Sequence, residues 1–311
     1  MQVIRAKVMG YCFGVQRAID MALGAAQQNA KNNDEKKSKE KSSEKSQKVW
    51  TLGPLIHNQN ALDFLAQHDV HELDMNALDA FAKSNAEKAN DVVIIRAHGA
   101  EQKKQLRLRE YGFTVLDATC PRVKASQELA QKYSASGYDV LIAGDKKHGE
   151  VIGIASFVTA SNVFIFQNAD EVSALHLTHV INKEKQYVLL AQTTIRQSEY
   201  EAIAAALKKI IPEKNIAVCA TICPATKERQ EALADLCTRV DGVLVIGGKD
   251  SANTQRLLTC AFSHNVPACL ISSSAEIPQA FFSMTSVGLT AGASTPNEVI
   301  DAVEKRLLES G

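Results

Sequence analysis

One pattern in this chain occurs three times, and it limits the possible folds more than any other feature. Val8-Met9-Gly10-Tyr11-Cys12 runs into FGVQRAIDMALGAA, Val115-Leu116-Asp117-Ala118-Thr119-Cys120 into PRVKASQELAQKY, and Val218-Cys219-Ala220-Thr221-Ile222-Cys223 into PATKERQEALADL. Each reads as strand, cysteine, helix. The helices are expected from 3.6-type periodicity, as at Leu129 and Tyr133, and from Pro121 and Pro224, which suit a first helical position whose N–H is unpaired anyway.

Two further elements recur with the cysteines. Twenty-eight residues after Cys120 stands His148, and twenty-eight after Cys223 stands Ser251, each behind a strand and a glycine. Aligning VLIAGDKKHGE with VLVIGGKDSAN matches Gly144 with Gly247, His148 with Ser251 and Glu150 with Asn253. VWTLGPLIHNQN supplies Gly53 and His57 in the first repeat, at an offset longer by 17 residues, nearly the length of the segment 31–48. That segment carries seven lysines, four acids and almost no apolar residue, so it is expected to be a solvated loop or a fraying helix extension with no functional role. The third element is a buried strand ending in a small polar loop: VVIIRAHGA, YVLLAQTTI and VGLTAGAST, which aligns His98, Thr193 and Ser294. Parallel α/β sheets bind ligands at the C-terminal ends of their strands. The expected fold is therefore α/β, with three pseudo-threefold-related units of mostly parallel sheet whose loops face a common centre. The expected divisions are 13–118, 119–217, and 1–12 together with 218–311.

Composition narrows the function. Lys+Arg and Asp+Glu are 35 each and aromatic residues are 5% of the chain, so neither a basic field nor a set of base-stacking platforms is available, and nucleic acid is not an expected partner. No apolar run approaches the roughly 18 to 20 residues of a membrane span, and the N-terminus lacks a signal's apolar stretch, which makes the cytoplasm the expected location. Seven cysteines without a C-x-x-C pair do not form a disulfide framework; metal binding or catalysis is the chemistry to test.

An isolated cysteine is ordinarily a small core residue, but Cys12, Cys120 and Cys223 recur at equivalent places before helix N-termini, where the dipole favours a thiolate. Three thiolates on a threefold axis suit a cubane iron–sulfur cluster with one iron open to substrate. Cys219, Cys237, Cys260 and Cys269 recur nowhere and are expected to be structural, Cys219 being the nearest competitor. The remaining loops offer His57, His98, His148, Glu150, Thr193, Thr194, Ser251, Asn253 and Ser294: neutral or cationic donors with one carboxyl group. That set suits a phosphate or diphosphate, and Glu150 set against such an anion would tend to hold its proton. His68, His71, His176, His179 and His264 match nothing and are expected to be structural.

With GYCFGVQRAI, LGPLIHN, RAHG, DATCP, HGEV, QTTI, TICPATKERQ, DSANTQRL and GLTAGASTP in this order, the chain resembles the 4-hydroxy-3-methylbut-2-enyl diphosphate reductases, the last enzymes of the methylerythritol phosphate route to isoprenoids. The resemblance covers most of the chain outside 31–48. It implies a cloverleaf of three α/β domains around one [4Fe–4S] cluster held by Cys12, Cys120 and Cys223. It implies substrate contacts from His57, His98, His148, Thr193, Ser251, Ala252, Asn253 and Ser294. Glu150 is implied as proton donor, with Thr193 beside the substrate's C4 oxygen and His148 assisting. In that family the hydroxyl oxygen meets the unique iron, two electrons arrive through the cluster, and loss of water leaves an allylic species protonated to isopentenyl or dimethylallyl diphosphate. No G-x-G-x-x-G follows a strand, so a separate ferredoxin- or flavodoxin-type carrier is the expected electron donor.

Two positions depart from the family pattern. Ala252 replaces a common second serine, removing a side-chain donor, and Gly149 replaces a common proline next to His148, which is expected to loosen the loop carrying Glu150. The rival readings are a quinolinate-synthase-like dehydratase, which calls for carboxylate-binding arginines whereas these loops carry His, Ser, Thr and Asn, and a non-catalytic cluster sensor, whose only unexplained candidate for a partner-binding element is the Lys-rich insertion.

Overall fold

The central strands are short apolar runs (VVII, VLIA, YVLLA, VLVI), the composition of parallel strands covered on both faces. A computed structural model describes residues 1–38, 47–56, 58–74, 76–84, 91–176 and 181–310. Residues 39–46 of the insertion and His57 lie outside the described residues. The chain runs β1 (Gln2–Arg5), α1 (Phe13–Ser38), β2 (Val49–Leu52), α2 (Gln59–Gln67), β3 (Val70–Leu73), α3 (Leu78–Ser84), β4 (Val92–Ile95), α4 (Gln102–Glu110) and β5 (Thr114–Asp117). It continues through α5 (Pro121–Ala135), β6 (Asp139–Ala143), α6 (Gly149–Ala155), β7 (Val163–Phe166), α7 (Ala169–His176), β8 (Tyr187–Ala191), α8 (Gln197–Lys208) and β9 (Ile216–Val218). It closes with α9 (Pro224–Cys237), β10 (Gly242–Ile246), α10 (Ala252–Ser263), β11 (Ala268–Ile271), β12 (Ser286–Ala291) and α11 (Asn297–Ser310). α1 runs on through residues 31–38, so the start of the insertion is a helix extension.

Three four-stranded sheets result, ordered β3-β2-β4-β5, β7-β6-β8-β9 and β11-β10-β12-β1. The three orders are the same once each sheet is read from its edge strand toward the strand that precedes a cysteine. In the third sheet that last strand is the chain's own N-terminus, β1, paired in parallel with β12 from Gln2↔Ser286 to Arg5↔Leu289. The recurrence reaches single hydrogen bonds. Gly53, Gly144 and Gly247 each donate their N–H to the last carbonyl of the edge strand: Leu73 at 2.8 Å, Phe166 at 2.9 Å and Ile271 at 2.9 Å.

Alternation along the strands sends side chains to both faces, and helices cover each face. In the second sheet Leu141, Tyr187 and Leu189 pack against Val172 of α7 and Tyr200, Ile203 and Leu207 of α8. Val140, Ile142, Val188 and Leu190 pack the other way, against Ala130 of α5 and Val151 and Ile154 of α6. In the third sheet Leu244, Val287 and Leu289 meet Ile300, Val303 and Leu307 of α11, while Val243 and Val245 meet Leu233 of α9 and Leu257 and Ala261 of α10. Each such fully buried aliphatic side chain contributes about 1.5 to 3 kcal/mol relative to exposure.

Two compact units are distinguished along the chain. One is Met1–Leu23, Pro54–His71 and Pro224–Gly311, which holds the third sheet; the other is Gly24–Gly53 and Glu72–Cys223, which holds the second sheet and most of the first. In every sheet the strand order reverses between the two central strands. That leaves a crevice beyond their C-terminal ends, the place where doubly wound sheets take ligands.

Candidate active site

The second compact unit carries the most developed constellation, around the start of α6. His148 is the N-cap of this helix: its Nδ1 accepts the Glu150 N–H at 3.2 Å. An imidazole that accepts at Nδ1 carries its proton on Nε2, so the hydrogen-bond network assigns His148 as a neutral ring with an N–H donor on its far side. Its ring meets that of His98 edge to face, with centroids 5.6 Å apart. Glu150 is wholly buried. Its Oε1 accepts the Thr193 N–H at 2.6 Å, and its Oε2 lies 2.8 Å from Thr193 Oγ1, the hydroxyl donating as drawn. A proton can pass in either direction across this O···O contact. Gln192, also fully buried, ties the two loops together: its Oε1 accepts from Asp145 N at 3.0 Å and its Nε2 donates to Thr194 Oγ1 at 3.2 Å. A Cβ at Gly144 would stand 2.7 Å from the Gln192 Cβ, so the close approach of these loops requires glycine there.

The other compact unit repeats the design with hydroxyls and an amide. Ser251 caps α10 by accepting from Thr254 N at 3.4 Å. Ala252 is the first helical residue, so what it offers an anion is the backbone N–H that a helix start leaves without an intrahelical partner. Ser251, Asn253, Thr254, Thr290, Ser294 and Thr295 are all buried. Asn253 Nδ2, Thr254 Oγ1 and Thr290 Oγ1 have no hydrogen-bond partner among the described residues. Buried donors left in this condition are costly unless a polar ligand satisfies them. In the first sheet the corresponding cap is Asn58, whose side chain accepts from Ala61 N at 3.2 Å. The cap therefore falls one residue beyond the position that the sequence pattern matches to His148 and Ser251.

The cysteines separate into two groups. Cys12 directly precedes α1, Cys120 is the N-cap residue of α5, and Cys223 directly precedes α9. Their N–H groups make one recurring bond, to Ala293 O at 3.1 Å, Ala97 O at 2.9 Å and Thr193 O at 2.9 Å. None of the three is in a disulfide; all are half-buried and lie outside the hydrophobic clusters. The other four belong to the core: Cys219 packs against the α5–α6 face, Cys237 and Cys260 against the α9–α10 face, and Cys269 against the α11 face. Burial pushes the Cys237 thiol up to about 11 and also raises Cys219 and Cys269. The donor chemistry of Cys12, Cys120 and Cys223 thus fits thiolate ligation, and that of the others does not. Among the described residues no three His, Cys, Asp or Glu side chains stand close enough to hold a metal ion together.

The loop turns correct one alignment made from sequence. Gly99 N donates to Arg96 O, Ile195 N to Gln192 O and Thr295 N to Gly292 O, which makes His98, Thr194 and Ser294 equivalent and places Thr193 with Ala97 and Ala293. Adjacent threonines hid this one-residue slip. The sequence pattern does not single out four residues that the structure places at these loops: Gln192, Thr254, Thr290 and Arg96. The signal for Arg96 was available, since a cation closing the apolar run VVII has to be buried at a strand's C-terminal end.

Comparison with known proteins gives a consistent result. The profile of the LytB protein family matches residues 3–308. A 4-hydroxy-3-methylbut-2-enyl diphosphate reductase of Treponema denticola is 47% identical over 99% of this chain and all of its own length. A solved (E)-4-hydroxy-3-methyl-but-2-enyl diphosphate reductase, described as the terminal enzyme of the non-mevalonate pathway, is 31% identical and superposes with a TM-score of 0.67, covering 99% of this chain and 100% of its own. The Plasmodium falciparum reductase structure, 23% identical, shares the fold with a TM-score of 0.82 over 98% of this chain and 87% of its own.

Proposed function

The chain belongs to the LytB protein family, and from that membership we propose that it reduces 4-hydroxy-3-methylbut-2-enyl diphosphate to isopentenyl and dimethylallyl diphosphate. The reaction takes two electrons and two protons, breaks the C4–O bond, releases the hydroxyl oxygen as water and forms one C–H bond. Its place is the last step of the non-mevalonate supply of isoprenoid precursors, in the cytoplasm. The observation that carries the reading is the buried Glu150–Thr193 pair beside the facing rings of His98 and His148.

Each group has a role that its geometry supports. The Thr193 hydroxyl holds the substrate's C4 oxygen and, being 2.8 Å from Glu150 Oε2, passes it a proton from the buried carboxyl. Breaking a C–O bond to a poor leaving group needs this protonation, and a positioned acid is worth about 10² to 10⁴ in rate. His148 and His98 are proposed to orient the anion. Ser251, Asn253, Ser294 and the Ala252 N–H are proposed as further donors to the diphosphate, as is His57 from the sequence pattern alone. Hydrogen-bond donors of this kind suit the oxygens of a diphosphate.

Cys12, Cys120 and Cys223 are proposed to hold one [4Fe–4S] cluster per chain, supported by their shared helix-start position and their exclusion from the core. When bound, such a cluster supplies the electrons and an open iron as Lewis acid. The electrons are proposed to come from a small carrier of ferredoxin or flavodoxin type.

The test is anaerobic turnover of reconstituted protein with 4-hydroxy-3-methylbut-2-enyl diphosphate and chemically reduced viologen. Dye oxidation that depends on substrate and yields both five-carbon diphosphates is expected. Cluster-loaded protein that leaves the dye reduced would overturn the reading.

A further inference from the structure

Arg96 follows directly on β4, and its side chain is 7% exposed. Its Nε donates to Gly99 O at 3.2 Å, across the turn in which Gly99 N donates back to Arg96 O at 2.9 Å, so the side chain folds beneath His98. The guanidinium then reaches the first residue of α6. A Cβ built on Gly149 would overlap Arg96 Nη2 and stand 3.0 Å from Cζ. Gly149 lies between His148, which caps the helix, and Glu150, which bonds Thr193. One buried cation therefore touches both loops whose rings meet at 5.6 Å.

The charge itself is unusual. Among the described residues Arg96 makes no ion pair; burial presses its pKa down, and the one carboxylate acting against this is the exposed Glu72. A buried charge without a close counter-ion is expensive. The cost falls when an anion arrives beside it. The space left by Gly149 is the space the guanidinium occupies.

We propose that Arg96 is a positioning residue of the diphosphate pocket: wedged against Gly149, it sets the His98–His148 pair and lends the bound anion a positive charge that the pocket's own donors lack. Arg96 and Gly149 are accordingly a matched pair, and a side chain at 149 requires the guanidinium to move from its place. This rests on the reading of the pocket given above.

The test is calorimetric titration of inorganic diphosphate into the cluster-loaded protein, with thermal unfolding of every variant alongside. Arg96→Met is expected to weaken diphosphate by about tenfold, with Arg96→Lys recovering affinity to within about threefold of the unsubstituted protein, because a charge at that site acts through a low effective dielectric. Gly149→Ala keeps the arginine in the sequence but displaces it, so it is expected to weaken binding as much as Arg96→Met, and the double variant no further than either. With the full substrate the loss is expected to appear in KM more than in kcat, the pattern of lost ground-state binding. Unchanged affinity in Arg96→Met, or losses that multiply in the double variant, would overturn the role. If Arg96→Met does not fold, Gly149→Ala decides alone: undiminished affinity there overturns the pairing. An unsubstituted protein that binds no diphosphate would overturn the pocket as well, a result distinct from binding that the variants leave untouched.

Discussion

At the scale of single residues, His148 joins a structural duty to a chemical one, and the two can be separated. Its Nδ1 caps α6, which leaves Nε2–H as the functional donor. His148→Asn keeps an acceptor for the Glu150 N–H but shortens the reach of the donor. His148→Ala removes both and is expected to lose about 1 kcal/mol of stability, the usual value of an N-cap. Chemical denaturation should therefore rank the native protein and His148→Asn together above His148→Ala, while both variants bind diphosphate more weakly. Equal stability in all three would remove the capping role. Glu150→Gln preserves shape and can still accept from Thr193, yet it holds no proton to give. Single-turnover product formation is expected to fall about 100-fold or more with diphosphate affinity unchanged. A rate near that of the unsubstituted protein would take Glu150 out of the proton path.

Elements are held at the opposite end from the site by aspartates at the starts of central strands. Asp91 accepts from Lys48 N and Trp50 Nε1 at 2.9 and 2.8 Å, Asp241 from Ser286 N at 2.8 Å, and Asp139 from Asn162 N at 3.0 Å and Lys185 Nζ at 2.9 Å. Burial alone would raise the Asp139 carboxyl, but the Lys185 ammonium and the Asn162 donors outweigh it and hold its pKa below the ordinary value. A depressed carboxylate pKa contributes stability above the unfolded value of 3.8, and this is lost as pH falls through the folded value. Asp139→Asn is thus expected to cost about 2 kcal/mol in denaturant unfolding at pH 7. The deficit should shrink below about pH 4, and a deficit constant from pH 7 to pH 3 would contradict it. These staples were not legible in the sequence, because a lone Asp before an apolar run reads as ordinary loop chemistry. What was legible rests on repetition: cysteine and helix recurring with the later strand ends revealed the parallel units, and Pro121 and Pro224 marked the helix starts, whereas the strand before Cys12 is Gln2–Arg5 and not the Val8–Tyr11 run that the pattern suggested. The slip between Thr193 and Thr194 escaped because offsets count residues, whereas equivalence is set by which carbonyl each cysteine N–H meets.

Across the whole molecule, one strand order serves three sheets, and the third is completed by β1 from the beginning of the chain. Cys12 therefore stands in the same relation to β1 and β12 as Cys120 to β5 and β4 and Cys223 to β9 and β8. This equivalence makes a prediction that a merely conserved-looking cysteine would not. Serine at any one of positions 12, 120 or 223 is expected to abolish the visible absorbance of the anaerobically reconstituted cluster, because three thiolates act as one set and each loss leaves two irons without a protein ligand. Serine at 219, 237, 260 or 269 exchanges a packed thiol for a hydroxyl within an apolar face, which lowers stability and leaves the absorbance unchanged. Removal of 31–48 belongs in the same series, since it shortens α1 beyond the repeat and should leave cluster and turnover intact. The measurement is one absorbance spectrum per variant, read beside its melting temperature. Loss of absorbance in the packed group without loss of folding, or its survival at 12, 120 or 223, would break the link between repeat position and ligand role. The cluster would then have to be sought outside the pattern that the three sheets share.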